Sequence, residues 1–97
     1  MPTLFILSHA PHRDALDPKT LSLAKPGDSV LLIEDAVYAA GATTTPLTPL
    51  LDDARAKGVS VLALQADTEA RGVKTSLPVV DYEGFVDLIL AHERSVH

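Results

Sequence analysis

Cysteine is absent from this sequence. Without a thiol the chain forms no disulfide, offers no Zn–thiolate ligand and carries no thiol chemistry of its own. Aromatic residues are also scarce, at 4%, so the core must be built from Leu, Val, Ile and Ala. Positive charge is thin as well. Eight Lys and Arg face thirteen Asp and Glu, for a net charge of −5 with His neutral. The cations are scattered from Arg13 to Arg94 without a run, which argues against a phosphate-binding groove and against direct nucleic-acid binding. No apolar run approaches the ~18 residues of a membrane span. The opening "MPTLFILSHAPHRD" has neither a basic n-region nor a small-residue cleavage site, so no signal peptide is expected. A soluble, cytoplasmic chain is the expectation. Neither a G-x-G-x-x-G nor a G-x-x-x-x-G-K-[ST] fingerprint occurs, so nothing supports a nucleotide site, and no cofactor is expected.

What is present is globular in balance: 46% hydrophobic and 22% charged residues, in a length that suits a single domain over residues 1–97. Residues 3–7 form an apolar run of the kind buried on both faces of a parallel sheet. Asp17-Pro18 opens a helix over 18–25, with Leu21 and Ala24 inward, stopped by Pro26-Gly27. Residues 29–33 read as a second strand, and 35–40 as a short helix. Thr48-Pro49 opens a further helix, with Thr48 as capping residue, closed by Lys57-Gly58. Residues 59–64 are a third strand. Asp67 caps a turn ending at Arg71-Gly72, Val79-Val80 is a short fourth strand, and residues 82–93 form a terminal helix. This alternation predicts an α/β fold, a small parallel sheet of about four strands with helices on both faces.

The terminal helix is over-apolar. Phe85, Val86, Leu88, Ile89 and Leu90 nearly encircle it, where the outer helix of a monomer shows one stripe. That excess points to burial against another subunit. His9 and His12 stand beyond the first strand, at the edge where open α/β sheets bind ligands. Pro11 lies between them and no Cys, Asp or Glu completes a set, so solvated loop histidines are the reading and no metal is expected. Ser8-His9 lacks the G-x-S-x-G elbow of a nucleophile. Glu34-Asp35 closes the second strand. There Asp35 is expected to cap the following helix and to meet its dipole, with a ligand or partner contact as the alternative.

Three stretches in one order carry a family likeness: "GDSVLLIEDAVYAA" at 27–40, "ALQADTEARG" at 63–72 and "VVDYEGFVDLIL" at 79–90. With the opening "TLFILSHAP", they resemble the DsrH/TusB family of sulfur-relay subunits over nearly the whole chain. The resemblance implies a DsrEFH-like domain that assembles with TusC/DsrF-like and TusD/DsrE-like subunits as a dimer of heterotrimers. Such a complex passes persulfide sulfur between cysteines, toward the 2-thiouridine of the tRNA wobble position in the Tus system or in sulfur oxidation in the Dsr system. It also implies that Glu34, Asp35, Tyr38, Asp81, Tyr82 and Phe85 are partner-contact or turn residues. The position where DsrH-type members can carry cysteine is Thr20 here. A hydroxyl holds no persulfide, which favours the Tus type and a subunit without catalysis. The tail "HERSVH" lacks the terminal tryptophan common in the family. The expectation is a non-catalytic relay subunit serving tRNA 2-thiolation. The alternatives are a sulfur-oxidation subunit of DsrEFH type and a stand-alone homo-oligomeric module binding a small ligand near His9, His12 and Glu34.

Overall fold

A computed structural model describes residues 2–8, 21, 23–41 and 44–96. The strands β1 (Thr3–Leu7), β2 (Ser29–Leu32), β3 (Ser60–Leu64), β4 (Val79–Val80) and β5 (Arg94–Val96) form one sheet in the order β4-β3-β2-β1-β5. Every neighbouring pair is parallel. Between the strands lie a 3-10 helix (Glu34–Ala40), α1 (Thr48–Ala56), α2 (Gln65–Ala70) and α3 (Tyr82–Ala91). The parallel α/β architecture is the expected one, with five strands in place of four.

The fifth strand and the helix before it correct the reading of the tail. Helix α3 ends at Ala91 rather than Glu93. His92 turns the chain: its Nδ1–H donates to the Leu88 carbonyl at 2.6 Å, and Nε2 meets the Ser29 hydroxyl at 2.9 Å. One neutral tautomer satisfies both contacts. The Glu93 N–H then donates to the Pro2 carbonyl, and Arg94–Val96 runs on beside Thr3–Phe5.

Alternation along the strands divides the core into two layers. Phe5, Leu7, Val30, Leu32, Val61 and Ala63 face one side. There they pack with Leu21, with Ala36 and Val37 of the 3-10 helix, and with Leu51 and Ala54 of α1. Leu21 and Ala24 are both buried, as expected, while half of the helix expected over 18–25 lies outside the described residues. Leu4, Ile6 and Leu31 face the other side, where Phe85 and Leu88 of α3 cover them. Right-handed crossovers explain this division. The steps β1 to β2 to β3 to β4 all move one way along the sheet, and the described parts of their connections, such as Leu21, Val37 and Leu51, pack on one face. The step from β4 to β5 returns across the sheet, so among the described helices α3 alone lies on the opposite face.

Two helices end in the same motif. In α1, Gly58 N–H bonds the Arg55 carbonyl and Val59 N–H the Ala54 carbonyl. In α2, Gly72 N–H bonds Glu69 and Val73 N–H bonds Thr68. Both are Schellman closures, with the glycine at φ +91° and +64° respectively. The expected helix stops at Lys57-Gly58 and Arg71-Gly72 therefore stand. The expected cap at Thr48 does not: its hydroxyl accepts from the Thr45 N–H, back along the chain, and no side chain caps α1.

Candidate functional site at the carboxyl edge of the sheet

Strand β2 gives way to the 3-10 helix through a constrained turn. Ile33 is extended and its N–H still bonds the Leu7 carbonyl. Glu34 then takes φ +49°, a left-handed conformation that costs a side-chain-bearing residue roughly 1–2 kcal/mol. Its N–H donates to Asp67 Oδ2 at 2.6 Å, a charge-assisted bond that offsets the strain. The other oxygen of Asp67 accepts from Arg71 Nη1 at 3.4 Å, and Arg71 Nε donates to Asp35 Oδ1 at 2.9 Å. A chain of contacts thus runs from the Glu34 backbone through Asp67 and Arg71 to Asp35. It clamps the 3-10 helix to α2. The hydrogen bond to Asp35 raises the Arg71 guanidinium above its ordinary value, against partial desolvation, with the Asp35 and Asp67 charges adding to the effect.

This geometry corrects the capping reading. The residue before the 3-10 helix is Ile33, and no side chain caps it. Asp35 is turned toward Arg71 instead. Asp67 is the third residue of α2, not its cap, and its carboxylate serves the neighbouring turn. The aspartate that does cap is Asp81, whose Oδ1 accepts from the Gly84 N–H at 2.8 Å at the start of α3.

The six family-implied residues fall into two groups. Glu34, Asp35 and the exposed Tyr38 lie beyond β2. Asp81, Tyr82 and Phe85 lie beyond β4, with β3 between the two strands in the sheet. Tyr82 is exposed and Phe85 packs on the Leu4–Ile6–Leu31 layer. Thr20, His9 and His12 lie outside the described residues. Among the described residues no cluster of His, Asp and Glu could hold a metal ion, and no helix is long and apolar enough to cross a membrane.

Two polar centres escaped the sequence reading. Arg71 is one; its spacing of four from Asp67 on a helix was a legible signal, whereas its pairing with Asp35 was not. Asp28 is the other. It is buried, and its two oxygens accept from the Thr3 and Lys25 N–H groups, each at 2.9 Å. Burial pushes this carboxyl up, but the two N–H donors and nearby positive charge outweigh it and hold Asp28 below its ordinary value. Chemically, the carboxyl edge offers paired carboxylates and exposed apolar side chains. Asp35 and Asp67 share one arginine, each offering it a carboxylate oxygen. The arrangement suits docking.

A family model described as "DsrH like protein" matches residues 9–95. Protein TusB of Serratia proteamaculans (strain 568) is 37% identical over 93 residues, covering 92% of this chain and 93% of the relative. Protein TusB of Yersinia pestis (strain Pestoides F) is 32% identical over 97 residues, covering 96% and 97%. Among solved structures, the solution structure of Protein Tm0979 from Thermotoga maritima superposes with a TM-score of 0.62 at 23% identity, covering 94% of each chain. That likeness speaks to the fold.

Proposed function

We propose a role from one premise: the chain belongs to the DsrH/TusB family of sulfur-relay subunits. It is a non-catalytic, single-domain subunit of a cytoplasmic relay complex that supports 2-thiolation of the tRNA wobble uridine, and its partners are TusC-like and TusD-like subunits. One observation carries this reading. A chain similar to proteins named TusB over almost its full length has no cysteine. Persulfide transfer needs a thiolate to attack and a sulfur to receive it. A relay member lacking both contributes surface and geometry while its partners supply the thiols. The clamped turn beyond β2 and the apolar helix α3 are exposed features of the kind such a role uses.

The test is genetic and chemical. Deleting the gene should abolish or strongly reduce 2-thiouridine among nucleosides released from bulk tRNA, measured by mass spectrometry, and restoring the gene should rescue it. Unchanged 2-thiouridine in the deletion strain overturns the tRNA reading. The DsrH description of the matching family model favours one second reading, a subunit of a sulfur-oxidation complex. Under it the deletion leaves tRNA intact and impairs growth on reduced sulfur.

A further inference from the structure

Among the described residues helix α3 alone covers its face of the sheet, yet none of its residues is fully buried. Its outer side is apolar. Tyr82 is 63% exposed, Val86 53% and Leu90 78%, with Ile89 beside them. Spacings of four put Tyr82, Val86 and Leu90 in one stripe. Along one edge of that stripe run Glu83 and Asp87, also four apart. Neither has an ion-pair partner among the described residues, and α3 contains no Lys or Arg. Tyr82, Glu83, Val86 and Asp87 together line a shallow notch of about 390 Å³.

We propose that this outer face is a heterologous docking surface. The stripe receives an apolar patch of a partner subunit, and the notch receives a lysine or arginine of that partner. The notch has the two halves such a side chain requires. Tyr82 and Val86 take its aliphatic stem, and the Glu83 and Asp87 carboxylates meet its charged head. The tyrosine ring adds a face for a cation.

Charge also decides against a second copy of this chain. A two-fold axis that packs two α3 helices antiparallel, stripe to stripe, brings the same edge of each helix to the same side. Glu83 and Asp87 of one copy then lie beside Asp87 and Glu83 of the other, four carboxylates with no Lys or Arg on either helix. Like charges set side by side disfavour that partner. A parallel two-fold pair leaves both acidic edges unanswered. The face therefore fits a partner of opposite rim charge. This inference rests on the relay reading, which supplies the partner class: a small subunit of the same assembly whose contact patch is apolar with a basic rim.

The test uses the full chain co-expressed with the TusC-like and TusD-like subunits of its own organism. The variant Glu83→Gln/Asp87→Lys removes the acidic edge without placing a cation in the first helical turn. It should keep the urea midpoint of the wild-type chain and lose at least about tenfold in affinity for the partners, read by titration and size-exclusion co-elution. Wild-type association should weaken with rising salt, and the variant's should not. Because the chain has no cysteine of its own, the thiol of Val86→Cys is the only one it carries, and intact mass reads its labelling apart from that of the partners' thiols. Its alkylation should slow at least tenfold or so in the complex, by burial at the interface core. Co-elution of the double variant as wild type, or an equally reactive thiol in the complex, overturns the docking surface and leaves the relay reading standing. A wild-type chain that ignores both subunits overturns the relay reading and the surface with it. A homodimer whose formation protects the same thiol overturns the heterologous assignment alone.

Discussion

Asp28 shows how much one buried carboxylate can organise. It joins the start of β1, through Thr3, to the approach to β2, through Lys25. Both of its oxygens accept from backbone N–H groups. Asparagine offers one acceptor and one donor, so Asp28→Asn sets an N–H against an N–H. The expected cost is about 1–3 kcal/mol, read from the urea midpoint, because one buried donor loses its partner. The same carboxylate gives the fold an acid limit. Its value in the folded chain is lowered from the ordinary 3.8. Its contribution to stability is therefore complete above that value. It drains away as pH falls through 3.8 toward the lower folded value, where the unfolded chain binds a proton that the folded chain resists. Wild type should lose stability across that window, and Asp28→Asn should lose less. Equal acid sensitivity in the two proteins would contradict this account.

At the scale of elements, the turn after β2 depends more on its neighbour than on itself. Asp67 satisfies the Glu34 N–H and anchors Arg71, and its side chain is only 18% exposed. Asp35 contributes a salt bridge from a side chain that is 57% exposed. Asp67→Ala is expected to cost about 1–2 kcal/mol, through the stranded Glu34 N–H and the lost charge-assisted bond. Asp35→Ala should cost under about 1 kcal/mol, the usual worth of an exposed pair. A urea series in which Asp35→Ala is the more damaging would reverse the roles. The contrast also marks what could be read before the structure. Strands, helix stops and the two faces of the sheet follow from local pattern, so Leu21, Ala24, Gly58 and Gly72 behave as their spacing predicts. Pattern assigns caps to Asp35 and Asp67 rather than to Asp81 because all three precede or enter helices, and composition cannot rank them. Only the tertiary fold brings Arg71 to Asp35 and the Glu34 N–H to Asp67, whereas the Asp81 cap on the Gly84 N–H, three residues on, is local. The tail misled for a similar reason. Nothing in "HERSVH" signals a strand until β1 is there to pair with it and His92 has Ser29 to meet.

For the molecule as a whole, topology sets where the fold is firm and where it is loose. The buried strand β2 sits at the centre of the sheet, with Val30, Leu31 and Leu32 fully enclosed. Strand β5 is short, exposed along its length and, among the described strands, paired on one side only, to β1. Native-state hydrogen exchange should therefore protect the β2 amides up to the global unfolding free energy, while Arg94–Val96 exchange through local opening at far lower cost. Equal protection in the two strands would show that β5 belongs to the same cooperative unit. The pairing of β5 with β1 has a further consequence, in time rather than in energy. It joins residues from opposite ends of the described chain, so it carries the largest loop-closure cost of any pairing in the sheet. A refolding chain is expected to complete the β1–β4 layer first and wait for β5. During that interval the flank of β1 is an unclaimed edge, bearing Thr3–Phe5, and any strand that arrives sooner can occupy it. Folding yield at high concentration should depend on how fast His92 delivers the last strand, which makes the speed of a three-residue segment the safeguard against mispairing.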